Sequence, residues 1–456
     1  MFMEYLIYFV LVLVGLAWNE LFLYFLFGIM SLYVLTKEKC ELSTKFLVIC
    51  IFSVILPDNY IPEFCFVLYF IIKIFTDRII INSKYLIILF FFLFITFLSI
   101  ILNSVPIINS IFSFVTFFPL FIFLFLINKR KNKLSFNYTQ YIDKVFFIEF
   151  ISVPINFILF SNILGDDWSK GTFGIGGGQQ AQLFIIAIYM YIYYLHQYIY
   201  KKKSKKSIIK AILSLIIAIS TNSWLLLGTF ILSSILIYLG TLTRKKIIII
   251  SLIILFIPLS MNVALNILPD SILLTVNRII TDADYLDYRF HKITTYKETF
   301  IEIPRSDLSF ALIGNGLGYY NSRAALICTG EYVDFYSKLF RTSISQYTND
   351  FIYDYVKLAH KYGDSDYGSV LARPYSSIMA LMGECGYLGL MLLILLFYYF
   401  LKKKNLFIKY LIITWLCFCL VENYFEYPKV LIILYGSVLA ISQFHMTTIA
   451  KNNNDQ

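Results

Sequence analysis

Six arginines fall in one polar segment of an otherwise apolar chain: Arg278, Arg289, Arg305, Arg323, Arg341 and Arg373. A guanidinium donates two parallel hydrogen bonds to a phosphate and keeps its charge at every relevant pH, so such a group suits an anionic substrate. Thirteen acids share the segment, and for each arginine ordinary surface pairing competes with that reading. Arg289 and Arg373 stand out because they lie at the two roots of the segment, where a lipid headgroup would sit, and Arg278 is a further candidate for substrate contact. His291 follows close behind Arg289, whose charge would keep the imidazole neutral and able to accept a proton. His360 and Glu384 are the other candidate bases, Glu384 because an ionisable group near the start of an apolar run is usually functional or paired. Glu149, inside an earlier apolar run, attracts the same remark without an assigned role. Thr172-Phe173-Gly174-Ile175-Gly176-Gly177-Gly178-Gln179-Gln180 sets glycine-dense backbone before an apolar run. Such backbone either lets a phosphate approach the electropositive start of a helix or lets a turn pack tightly among helices. Two Asp-x-Asp pairs, Asp282/Asp284 and Asp364/Asp366, imitate a metal motif, but they arise easily by chance among so many acids. No Cys/His cluster has ligand spacing, and neither a metal nor any other cofactor is expected.

These residues need elements to hold them, and the composition says which. The chain has 456 residues, 59% of them hydrophobic, and a mean hydropathy of +0.75. A soluble domain is nearer 45–50% apolar, so the expected fold class is all-α: a polytopic bundle of transmembrane helices. A crossing needs about 20 apolar residues. On that basis spans are expected near 5–18, 20–35, 46–57, 63–75, 85–103, 107–127, 143–160, 180–199, 207–221, 223–240, 247–266, 376–401, 405–421 and 429–447, about fourteen in all. The first run lacks a basic leader and a small-residue cleavage site, so it reads as a retained span and not a signal peptide. Three regions follow: an N-terminal bundle over 1–265, a large and mostly helical polar loop over 266–375, and a C-terminal membrane part with a short tail over 376–456.

The net charge of +10 could suggest nucleic acid in a soluble chain. Here the basic residues form short clusters in every second connection, among them Lys37/Lys39/Lys45, Lys129–Lys133, Lys201–Lys206 and Lys402–Lys404. They read as topology signals, and no nucleic-acid partner is expected. The positive-inside rule puts these connections and both termini in the cytoplasm. The polar loop and the glycine-rich turn then lie outside, where no nucleotide is available and any phosphate must arrive on a membrane lipid. Lys170 and Lys429 are the exceptions on the depleted side. Seven cysteines are scattered, only Cys328 lies in the polar loop, and no disulfide framework is expected.

The order of short motifs resembles the O-antigen ligase and polymerase superfamily of bacterial membrane glycosyltransferases, over roughly residues 168–401. Lys170-Gly171-Thr172-Phe173 matches that family's basic residue and Gly-Thr-Phe before a span. Thr221-Asn222-Ser223-Trp224 keeps the serine of its Ser-Arg turn and loses the arginine. Arg289 opens a loop helix, Gly314-Asn315-Gly316-Leu317-Gly318 matches a Gly-x-Gly-x-Gly turn, and Glu384-Cys385-Gly386-Tyr387-Leu388-Gly389 matches Glu-x-Gly-x-x-Gly. Ligases of the family carry a His-Asn pair where the loop re-enters the membrane. Here the stretch is Arg373-Pro374-Tyr375-Ser376-Ser377, with Tyr375 in the histidine's place, which favours a polymerase. The spacing of Arg305 and Gly316 resembles one in polymerase loops.

The resemblance implies a GT-C-like bundle in the bacterial inner membrane and a hexosyltransferase-type, metal-independent enzyme. Its substrate would be oligosaccharide repeat units on undecaprenyl diphosphate, joined outside the membrane into O-antigen or capsule, with the lipid diphosphate as leaving group. A chain-length regulator and a flippase are implied partners. Fixed cations at the leaving group act where charge develops. Arg289 and Arg373 are the leading clamp residues with Lys170 third, and His291 or Glu384 would serve the acceptor hydroxyl. Gly171, Thr172, Arg305, Gly314, Gly316, Gly318, Tyr375 and Ser376 are the expected substrate contacts besides. An O-antigen ligase, or a flippase for the same lipid, are the alternatives.

Overall fold

The computed structural model describes residues 2–57, 60–76, 83–127, 138–164, 169–173, 179–200, 204–239, 281, 291–329, 344–352, 374–402 and 404–454. These residues form helices and connecting turns, with no strand among them. Ten helices follow the first ten apolar runs: α1 (Phe2–Ala17), α2 (Leu21–Lys37), α3 (Leu42–Ser53), α4 (Ile61–Thr76), α5 (Ser83–Leu102), α6 (Ile107–Ile127), α7 (Thr139–Leu164), α8 (Gln179–Tyr200), α9 (Lys205–Ser220) and α10 (Trp224–Leu239). The expected span at 247–266 lies outside the described residues. Short helices occupy the polar loop: α11 (His291–Lys297), α12 (Ile303–Ser306), α13 (Leu308–Ile313) and α14 (Arg323–Thr329), with a π-helical turn at Glu298–Glu302. The chain then returns through α15 (Ser377–Leu401), α16 (Leu406–Cys419) and α17 (Pro428–Asn454).

Five of these helices, α5, α6, α7, α8 and α15, are long and apolar enough to cross a membrane. The most apolar of the five is the least buried, and the least apolar is the most buried. The best window of α5 has a mean hydropathy of 2.9 and is 28% buried, whereas that of α8 has 1.2 and is 72% buried. Phe90, Phe91, Phe94 and Phe97 of α5 project from the molecule. An apolar face left exposed in this way suits lipid, not water. By contrast α8 sits inside, packed on α9, α16 and α17. It can therefore carry tyrosine, glutamine and histidine: Tyr189, Tyr193, Tyr194, Gln182 and His196 are all buried. Polar side chains in membrane proteins belong on such inward faces.

Helix α15 is two helices in one. At Gly386 the backbone turns to φ +66° and ψ −173°, and a side chain there would collide with the backbone of Leu312 and Ile313. Glycine is required on both counts, by conformation and by the approach of α13. The break opens the backbone of α15 at the level where the polar loop docks. There Gly383 O accepts from Asn315 N at 2.7 Å and Glu384 O accepts from Gly316 N at 3.1 Å.

Candidate functional site

Three buried carboxylates organise one end of the bundle. Glu149 of α7 accepts the Thr172 hydroxyl at 2.6 Å and the Thr172 N–H at 3.1 Å. The Gly171 carbonyl is held in turn by Asn156 Nδ2 at 2.8 Å. The Lys170–Phe173 motif is thus a turn gripped by two side chains of α7. Glu384 does the same for a longer segment. Its Oε2 accepts Gly318 N at 2.7 Å, and its Oε1 accepts Ser322 N at 3.0 Å and the N–H groups of Tyr320 and Asn321 at 3.3 Å. Glu426, in the turn between α16 and α17, accepts Arg323 N at 2.7 Å, Ala324 N at 3.3 Å and the Thr116 hydroxyl at 2.7 Å. Burial pushes the Glu426 carboxyl up to about 7, against the pull of the Arg323 N–H and the Thr116 hydroxyl. Glu384 and Glu426 together fix every residue from Tyr320 to Ala324 by its backbone.

The segment so fixed delivers Arg323 to a cavity of about 120 Å³. Arg323 and Lys429 supply its positive charge, Glu63 and Gln182 contribute a carboxylate and an amide, and Tyr60, Tyr427 and Pro428 complete the lining. The Arg323 guanidinium stands 5.2 Å from the centre of the Tyr427 ring. Lys429 is 2% exposed, donates to the Leu56 carbonyl at 2.8 Å and lies 4.7 Å from the centre of the Phe173 ring. The wall Glu426-Tyr427-Pro428-Lys429 therefore joins the carboxylate that fixes Arg323 to the second cation. Pro428 is the first residue of α17, where its missing N–H costs nothing.

Three long helices begin at this cavity: α4 near Tyr60 and Glu63, α8 near Gln182, and α17 at Pro428. A helix start carries about half a positive charge, so their fields add to those of Arg323 and Lys429. The lysine clusters belong to the other ends of the same elements, Lys73 to the last turn of α4 and Lys205/Lys206 beyond the end of α8. Among the described residues no group of His, Cys, Asp and Glu is placed to hold a metal ion.

The residues singled out from the sequence fall around this site in different ways. Arg278, Arg289, Arg373 and His360 lie outside the described residues, as do both Asp-x-Asp pairs and Gly174–Gly178. Lys170, Gly171 and Thr172 form the turn on Glu149 and lead into Phe173 beneath Lys429. Gly314, Gly316 and Gly318 have φ of +71°, +100° and +79° and thread the turn against the break in α15. Glu384 has both carboxylate oxygens filled by backbone N–H groups, which is the geometry of an anchor. His291 begins α11 and is buried, Arg305 is exposed on α12, and neither lines the cavity. Tyr375 packs into a small core with Ile303, Phe310, Tyr320, Leu326 and Ile352. Ser376 caps α15 through Ile378 N and Met379 N, and its hydroxyl lies 2.7 Å from that of Tyr296.

Arg323, Lys429, Glu63, Gln182 and Glu426 were not among the expected site residues. The available signal was Lys429 itself, a lysine on the side otherwise depleted of lysine. Glu63, an acid beside a run of Phe, Leu and Ile, carried the same signal as Glu149. Comparison of the chain with protein-family models, with curated proteins and with solved structures returned no match.

Proposed function

We propose that this chain is a membrane glycosyltransferase that polymerises undecaprenyl-diphosphate-linked oligosaccharide repeat units on the outer face of the bacterial inner membrane. The observation that carries the reading is the cavity shared by Arg323 and Lys429, two cations set among apolar helices at the ends remote from the lysine clusters. A cationic pocket there suits an anion that arrives on a lipid. The ordered motifs support it, because three of them build this end: Lys170–Phe173, Gly314–Gly318 and Glu384–Gly389. The finer architecture belongs to the same proposal: about fourteen spans in a GT-C-like bundle, the 266–375 loop outside and both termini in the cytoplasm.

In the proposed reaction the diphosphate is the leaving group. Negative charge grows on it as the glycosidic bond breaks, and cations fixed beforehand stabilise that charge without reorganising. Arg323 and Lys429 take this role among the described residues. Arg289 and Arg373 remain proposed partners at the roots of the loop. Lys170, in the turn whose Phe173 ring lies against Lys429, remains a proposed third cation.

Gene deletion separates this reading from its rivals. Loss of a polymerase leaves single repeat units on the cell surface in place of a ladder, restored by the intact gene and not by Arg323→Ala or Lys429→Ala. Long polymer left on the lipid carrier would mean a ligase instead, and lipid-linked single units trapped on the cytoplasmic face would mean a flippase. Sidedness has its own test: cysteine at Ser306 reacts with an impermeant thiol reagent in permeabilised-envelope cells and cysteine at Ser204 does not. Protection at Ser306 would overturn the assignment of sides.

A further inference from the structure

The cavity holds two kinds of polar group, and the cations account for only one. Gln182 is 1% exposed, and its side-chain oxygen is buried without a hydrogen-bond partner. Glu63 Oε1 is likewise buried and without one. A buried acceptor without a donor is costly, so two in one cavity mark a place where donors are expected. The other carboxylates at this end differ in that respect. Glu149 and Glu384 have both oxygens engaged by N–H and hydroxyl donors, and so has Glu426. Glu63 is the carboxylate of this group with an oxygen to spare, and it is the one that lines the cavity.

Resting on the glycosyltransferase reading, we infer that Glu63 and Gln182 form the acceptor half of the site: both receive a sugar hydroxyl, and Glu63 takes its proton. The ligand class is therefore a polyol presented beside a lipid-borne phosphate, with acceptor oxygens for the one and cations for the other. In the step, the acceptor O–H bond breaks and its proton passes to Glu63 Oε1. The acceptor oxygen forms a bond to the anomeric carbon of the donor. The bond from that carbon to the diphosphate oxygen breaks, and its electron pair stays on the diphosphate beside Arg323 and Lys429. The proton on Glu63 then leaves to solvent, and the carboxylate is ready for another cycle. Gln182 cannot take a proton, so its part is to orient the hydroxyl.

The test uses full-length protein in isolated membranes that carry the host's own lipid-linked repeat units. General-base removal costs about 10²–10⁴-fold in rate, so Glu63→Gln should lower polymer formation at least a hundredfold at normal protein level. Glu63→Ala should regain part of the rate on addition of formate, a diffusible carboxylate. Gln182→Leu should lower the rate by a smaller factor, without formate rescue. Binding of undecaprenyl diphosphate to the purified protein should be unchanged in Glu63→Gln and Gln182→Leu and weakened in Arg323→Ala and Lys429→Ala. Full polymer from Glu63→Gln, with loss in the two cation variants, removes Glu63 from the reaction and leaves the glycosyltransferase reading standing. Loss of lipid diphosphate binding in Glu63→Gln makes Glu63 part of the anion pocket and overturns the acceptor assignment. If Glu63→Gln fails to accumulate, Gln182→Leu and formate rescue decide: no effect of either overturns the inference. Normal polymer from all four variants removes the reading as well.

Discussion

The two ends of this bundle treat acids in opposite ways. At the lysine-rich end, carboxylates meet cations and water. Glu4 pairs with Lys144 at 2.6 Å and Asp143 with Lys210 at 2.8 Å, with partial exposure of every partner. At the other end Glu149, Glu384 and Glu426 are at most 2% exposed and are filled largely by backbone N–H groups and hydroxyls. The first arrangement neutralises charge near a surface, where an exposed pair contributes about 0–1 kcal/mol. The second spends each carboxylate on fixing irregular backbone that has no helix of its own to satisfy its donors. Buried N–H groups have to be paired, and in a membrane no water does it for them. The difference teaches that one end is a boundary and the other is a scaffold, with Arg323 and Lys429 mounted on it.

The largest expected effect comes from taking away one scaffold carboxylate. Glu384→Ala leaves the N–H groups of Gly318, Tyr320, Asn321 and Ser322 without their acceptor. At about 1–3 kcal/mol for each unsatisfied group, the variant should fail to accumulate as folded protein, read by immunoblot of membranes and by detergent-resistant monomer. Wild-type amounts would sink the anchoring role. Thr172→Val is gentler, since the Thr172 N–H bond to Glu149 survives and only the hydroxyl bond is lost. Hydrogen bonds to charged groups contribute about 1.5–3 kcal/mol, so Tm in detergent should fall by several degrees; an unchanged Tm would put Glu149 outside the scaffold.

A third prediction uses pH. The Glu426 carboxyl lies at about 7 in the folded chain against 4.5 for the free group, because burial disfavours its charge. Its folded pKa is raised, so between those values the folded state binds more protons than the unfolded state. Its contribution to stability is present below about 4.5 and is lost as pH rises through about 7. Glu426→Gln should therefore flatten the pH dependence of Tm across that window, and an unaltered slope would contradict the assignment. The smallest effect is expected at the other end. Lys144→Met breaks a partly exposed pair with Glu4 and should shift stability by no more than about 1 kcal/mol. A loss as large as that of Thr172→Val would erase the contrast between the ends.

Much of the fold was legible without coordinates. Helices α5, α6, α8 and α15 begin and end within a few residues of the apolar runs that announced them, because hydropathy over about 20 residues is a local property. The sequence alone also determined that this is a helical, membrane-type chain, that its lysines cluster at alternate connections, and that Glu149 and Glu384 were ionisable groups requiring a partner. It did not determine who those partners are. Glu384 meets Gly318, 66 residues away, and Lys429 meets Leu56, 373 residues away. Whether an acid in an apolar run is an anchor or a base depends on how many donors the fold brings to its two oxygens. Glu384 receives four and Glu63 Oε1 none. Periodicity carries no record of that number, because the donors come from turns that acquire their shape only when α15 breaks at Gly386 and the loop packs into the gap.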